Sequence, residues 1–289
     1  MTKRKSTSKN SQEVPKLIIL TAGILEKFST RLAVRFAAKL FTTPIKHKMP
    51  HREFNMDKNS KQSVLKVPEI NKEIVVYELG NGPKKVLLVH GWSGRGTQLF
   101  KIAETLVENG FSVVSFDAPA HGKSAGNSSI MVEFIASIKE IDKKFGPFEA
   151  AVGHSLGGMA LFNSIKDGVA FKSLVTIGSG DVVKDIIDEF ISKLKLKKAN
   201  GLFLTRHFEE KYNKTMDSFS AYLSAKEVNI PVLVIHDEND ADVPLNAAIH
   251  IHEHLKNGSL FITKKLGHRK ILGDEKVIAK TIEFINNSK

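Results

Sequence analysis

The stretch Ala150-Ala151-Val152-Gly153-His154-Ser155-Leu156-Gly157 decides how the rest of the chain is read. Its first three residues make a short buried strand, and the run from Gly157 to Lys166 has helical spacing. The segment between, of the form G-x-S-x-G, is then a sharp strand-to-helix turn. Such a turn holds a serine hydroxyl proud of the sheet, and glycines two residues to either side relieve the crowding. The following helix aims its first backbone N–H groups at the same point, where they can stabilise charge developing on an oxygen. Ser155 is therefore a candidate nucleophile, in preference to the plain reading of a serine in a glycine-rich turn.

A serine nucleophile needs a base, and the base needs a group that orients it. The strand Val232 to Ile235 runs into His236-Asp237-Glu238-Asn239-Asp240-Ala241-Asp242-Val243-Pro244, which offers three aspartates. Asp237 follows the strand directly, where it can cap the turn. Asp242 lies just before a helix, where it can serve as an N-cap. Asp240 sits mid-loop, where a carboxylate can lean over the C-terminal edge of a sheet, and it is the favoured partner, with Asp242 next. Of the 11 histidines, His268 stands in the loop after the last strand, behind Gly267, and is the candidate base. The strand Val86 to Val89 leads into His90-Gly91-Trp92-Ser93-Gly94. The N–H groups of Trp92 and Leu156 are the expected oxyanion donors. Trp92, the only tryptophan, and His154 are expected to line the substrate pocket. Asp117 to Ser124 reads as a tight loop at the rim.

Short apolar strands alternate with helices through the body. Strands are expected at 74–79, 86–89, 112–116, 150–152, 174–177, 232–235 and 260–262. Helices are expected at 97–109, 130–145, 157–166, 245–255 and 274–285. This alternation implies an α/β fold with a mostly parallel central sheet covered by helices on both faces. Residues 181–226 break the rhythm, carrying helical clusters and no strand signal, and read as an all-helical insertion.

With these motifs in order at successive strand ends, the chain resembles the α/β-hydrolase superfamily over about residues 72–287. The resemblance implies Ser155 as nucleophile, Asp240 as acid and His268 as base. It also implies a helical cap over 181–226. The expected activity is cleavage of carboxylic esters, or thioesters, of small to medium apolar substrates through an acyl-serine intermediate, with no metal or organic cofactor. A serine at the turn argues against the dehalogenase branch, which uses aspartate there. The competing reading is a ligand-binding or signalling protein on the same fold with little turnover. His250 and His254 share a helix face, but no third ligand stands at suitable spacing for a metal, and a solvated face is preferred. Likewise Lys193-Leu194-Lys195-Leu196-Lys197-Lys198 reads as a solvated lid surface.

Composition narrows the partners. The 289 residues hold no cysteine, which excludes a disulfide framework, a thiolate nucleophile and sulfur-bound zinc. The formal net charge of +12 is concentrated at one end: residues 1–61 hold 14 of the 43 basic residues but 4 of the 31 acidic ones. Nucleic acid is therefore not expected at the body, and any anionic partner belongs to the N-terminal arm. Residues 1–15 read as a basic disordered tail, 16–44 as an amphipathic helix, and 45–289 as the hydrolase domain. In the helix Ile24, Phe28, Leu32, Phe36 and Leu40 form an apolar ridge beside Lys27, Arg31, Arg35 and Lys39. The ridge is expected to pack on the body. An interfacial helix on an anionic membrane is the alternative, ahead of a secretory signal, which Glu26 and Lys27 cut short. The expected location is cytoplasmic, with any peripheral membrane contact made by this helix; the oligomeric state is open.

Overall fold

Every side chain of Val86–Val89, Ala150–Val152 and Val232–Ile235 is buried, as unbroken apolar strands require. Successive residues go to opposite faces: Leu87 and Val89 pack with Phe134 and Leu161, whereas Val86 and Leu88 pack with Leu106 and Ile282. Burying each leucine this way contributes roughly 1.5–3 kcal/mol.

The structure is a computed structural model and describes residues 14–288. Helices α1 (Lys16–Phe28), α2 (Thr30–Phe41) and α3 (Phe54–Asn59) precede strands β1 (Lys61–Val67), β2 (Lys72–Leu79) and β3 (Lys84–Val89). Next come α4 (Phe100–Glu108), β4 (Phe111–Asp117), α5 (Met131–Phe145), β5 (Ala150–His154), α6 (Leu156–Lys166) and β6 (Ser173–Ile177). Helices α7 (Val183–Lys193), α8 (Ala199–Tyr212) and α9 (Ala221–Ala225) lead to β7 (Val232–Asp237), α10 (Leu245–Glu253), β8 (Gly258–Thr263), α11 (Gly267–Lys270) and α12 (Glu275–Asn287). Among the described residues one sheet forms, in the order β1-β2-β4-β3-β5-β6-β7-β8. It is parallel from β4 onward and antiparallel at β1–β2 and β2–β4. Between β6 and β7 the chain is helical, as expected for 181–226.

Two features of the N-terminal third differ from expectation. None of the elements expected from the sequence falls within residues 45–72, yet they contain α3 and the edge strand β1. An edge strand has only one face to bury, and Val64 stays exposed, so its sequence carries little apolar signal. The arm is also two helices, because Ser29 is extended at φ −164 and ψ 124. Serine competes for backbone hydrogen bonds and is a poor helix-interior residue. The break lets α2 turn a small-residue face, Ala33, Val34, Ala37 and Ala38, into the core beside α8. The ridge expected to be buried is instead split: Phe36 and Leu40 are half-buried against the core, while Ile24, Phe28 and Leu32 are exposed. The tail expected at 1–15 lies outside the described residues except for Val14, packed against the core, and Pro15, the residue before α1.

The arm is nevertheless fastened to the insertion. Phe41 stacks edge-on to Phe190 of α7, with centroids 5.1 Å apart, and lies 5.5 Å from Phe208 of α8. The Glu26 carboxylate accepts hydrogen bonds from the Lys197 N–H, at 2.8 Å, and from the Asn200 amide. No helix among the described residues is long and apolar enough to cross a membrane.

Candidate active site

Ser155 occupies the turn between β5 and α6 with φ 53 and ψ −120. A non-glycine residue held there costs roughly 1–3 kcal/mol, and close packing on both sides imposes it. A Cβ on Gly157 would lie 2.4 Å from the Val89 carbonyl oxygen, so only glycine lets α6 start this close to β3. A Cβ on Gly91 would lie 2.8 Å from the Ser155 Cβ, which puts the 90–94 loop directly against the serine. Gly158 and Met159 donate their N–H groups to the Ser155 carbonyl. The N–H groups of Leu156 and Gly157 begin the helix and have no acceptor within it.

The loops after β7 and β8 bring Asp240 and His268 together, with Oδ2 to Nδ1 at 2.7 Å. The other oxygen of Asp240 accepts the N–H groups of Asp242 and Val243, at 2.8 and 2.9 Å. Burial pushes this carboxyl up, but the hydrogen bond and charge of His268 and the two N–H donors outweigh it. The result lies below the usual carboxylate range. With Nδ1–H committed to the carboxylate, Nε2 of His268 is left to exchange a proton. His268 stands in the short helix α11 rather than in an open loop.

Asp237 behaves as a turn brace. Its carboxylate accepts from the N–H groups of Asn239, Leu266 and Gly267 and from the Thr263 hydroxyl, tying the two loops to each other. Asp242 does not cap α10, whose N-cap is Pro244; it lines the cavity described below.

Three buried residues of the site were not assigned these roles from the sequence. His90 accepts the Ala118 N–H at Nε2 (3.0 Å) and donates from Nδ1 to the Gly91 carbonyl (2.7 Å), joining the loops after β3 and β4. Burial lowers its pKa to about 4, so it is neutral. Asp117 receives the N–H groups of Gly96 and Lys123 and the Tyr77 hydroxyl, and burial raises its pKa. His154 lines the cavity described below and donates from Nε2 to the His268 carbonyl at 2.9 Å. Burial, and then the nearby charge of His268, lower its pKa to about 3. The sequence signal for His90 and Asp117 was their position at the ends of β3 and β4.

His250 pairs with Asp181 at 2.5 Å and stacks with Tyr222 and His254. No group of three or more metal-ligating side chains is arranged for a cation among the described residues. In the 193–198 run Leu194 and Leu196 are buried and the lysines are exposed.

Ser155, His268, Trp92 and Leu156 all open onto one cavity of about 1410 Å³. Its walls include Met159, Ile186 and Phe190, and the arm contributes Ile18, Leu40 and Phe41. Such a volume exceeds the roughly 300–1,000 Å³ common for small-molecule sites. It is larger than the small to medium group expected from the lid sequence, because the arm adds a second wall.

Residues 84–192 match the family model described as alpha/beta hydrolase fold, and residues 213–288 match one described as TAP-like protein. The chain belongs to the α/β-hydrolase superfamily. An esterase from Exiguobacterium antarcticum is similar at 16% identity and TM-score 0.64, over 78% of this chain and 100% of that one. An esterase from Rhodococcus sp. ECU1013 is similar at 16% identity and TM-score 0.58, over 80% and 100%. A membrane phospholipase A, a bacterial virulence factor, is similar at 16% identity and TM-score 0.62, over 94% and 97%. At such identities the likeness is one of fold. The comparison with curated proteins returned no match.

Proposed function

We propose that this chain is a serine hydrolase of carboxylic esters carrying an extended apolar acyl group. The observation that carries the reading is Ser155, held at positive φ and opening onto the same cavity as a histidine whose Nδ1 is fixed by a buried aspartate. In this mechanism Nε2 of His268 takes the Ser155 hydroxyl proton as Oγ bonds to the acyl carbon. The N–H groups of Trp92 and Leu156 stabilise the oxyanion. His268 then protonates the departing alcohol oxygen as the C–O bond breaks. Water, deprotonated by the same nitrogen, releases the acid from Ser155. Asp240 holds the imidazole tautomer and stabilises its cation throughout. Similarity to esterases and to a membrane phospholipase A supports an ester substrate, and the apolar walls support a long acyl chain. Thioesters of the same acyl groups suit the same chemistry.

The test is hydrolysis of p-nitrophenyl esters of increasing chain length by wild type and Ser155→Ala. Turnover that rises beyond short acyl chains and falls at least about 10³-fold in the variant is the expected result. Equal, slow rates in both would overturn it. Ligand-induced stabilisation with no turnover would put the chain with binding proteins on this fold.

A further inference from the structure

The side of the arm turned from the cavity is apolar. Leu17, Leu20, Ile24 and Phe28 are 74%, 61%, 46% and 82% exposed, and their spacing places them in one stripe along α1. Leu32 on α2 and Leu202 and Phe203 at the start of α8 are exposed too. The Glu26 hydrogen bonds to Lys197 and Asn200 bring the first turn of α8 up to the end of α1. These residues therefore belong to neighbouring stretches of one surface. Large side chains concentrated this way on an open surface mark an interaction site.

Charge indicates what covers it. Arg31, Arg35 and Lys39 lie on one face of α2 with Leu32, and Lys27 flanks the α1 stripe; all four are exposed. Lys197 and Lys198 are exposed beside them. Among the described residues, the ion pairs of this region, Lys184–Asp188 and Lys193–Glu189, leave these six cations out. Lys3, Arg4, Lys5 and Lys9 precede them in the sequence. An apolar stripe edged by unneutralised cations matches the acyl boundary and headgroups of an anionic leaflet. The same first turn of α1 that carries Leu17 lines the cavity through Ile18, with Val14 and Pro15 just before it.

We propose that α1, α2 and the first turn of α8 dock together on an anionic lipid bilayer, lying in its surface. Helices of 13 and 12 residues are too short to cross it. Docking requires neither the nucleophile nor turnover.

The full chain is sedimented with vesicles of phosphatidylcholine alone and of phosphatidylcholine with phosphatidylglycerol, at low and high salt. Binding to the anionic vesicles that weakens with salt is expected, and Ser155→Ala should bind like wild type. The triple variant Leu17→Gln, Leu20→Gln, Phe28→Gln should bind at least about tenfold more weakly, with an unchanged Tm. The variant Arg31→Gln, Arg35→Gln, Lys39→Gln should lose on the order of a hundredfold and most of the salt dependence. It carries the test if the first variant fails to fold. Wild type left in the supernatant would overturn the proposal, as would variants that bind equally. So would a chain that forms a dimer through Leu17, Leu20 and Phe28 and ignores vesicles.

Discussion

The sheet edge that carries Ser155, Asp240 and His268 and the arm that walls their cavity use apolar residues in opposite ways. Along β3, β5 and β7 every large aliphatic side chain is buried, and the polar atoms at the strand ends are tied loop to loop by His90, Asp117 and Asp237. In the arm the fully buried face is made mostly of alanines, helped by Phe36, Leu40 and Phe41, while Leu17, Leu20, Ile24, Phe28 and Leu32 stand outside. One region spends its hydrophobicity on its own core and fixes a few polar atoms by hydrogen bonds between loops. The other keeps its hydrophobicity for a surface.

The comparison breaks most severely at Asp240. Asp240→Asn keeps the volume but removes the carboxylate that fixes the His268 tautomer. Ester turnover should fall about 10³–10⁴-fold with little change in KM, measured beside Ser155→Ala. Were the loss only a few-fold, the pair at 2.7 Å would be structural and the proposed chemistry wrong.

Acid should act next, and on the sheet edge rather than the arm. The folded pKa of His90, about 4, lies below its ordinary 6.5, so the unfolded chain binds more protons between those values. Stability is therefore complete above about pH 6.5 and is lost as pH falls toward 4, by on the order of 3 kcal/mol for this residue. His154 acts in the same direction, over a window that extends to about 3. Thermal unfolding from pH 7 to pH 4.5 reads the effect, and His90→Asn should flatten the curve. A Tm that rises on acidification would contradict the buried neutral assignment.

The smallest effects sharpen the contrast within the arm itself. Ala37, fully buried, has no room, so Ala37→Leu should destabilise by about 1–3 kcal/mol. Phe28→Gln, although it removes far more apolar surface, should stay within about 0.5 kcal/mol. Denaturant midpoints distinguish the two, and a reversed order would place Phe28 in a contact within the protein.

What the sequence disclosed follows the same division. Residues buried on both faces of a parallel sheet must be apolar in unbroken runs, so β3, β5 and β7 announced themselves. The turn at Ser155 was legible because its glycines are sterically required. Asp240 was separable from Asp237 by its distance from the strand end, which sets how far a carboxylate can reach. β1 was missed because an edge strand with Val64 outside has no such run. The arm was misread because large apolar residues at helical spacing signal a face without saying what covers it. The alanines of α2, which make up most of its fully buried face, carry too little hydrophobicity to be seen. The cavity's size was likewise hidden, since it depends on Ile18 and Phe41 meeting a lid more than 140 residues away in the chain.

That separation has a consequence for biosynthesis. Glu26 meets the N–H of Lys197, 171 positions later. At roughly 5–20 residues per second, the arm leaves the ribosome some ten to thirty seconds before the segment that fastens it exists. During that interval its alanine face has no partner and its apolar stripe is already outside. The nascent arm is thus free to meet whatever its stripe favours before the hydrolase body has been made.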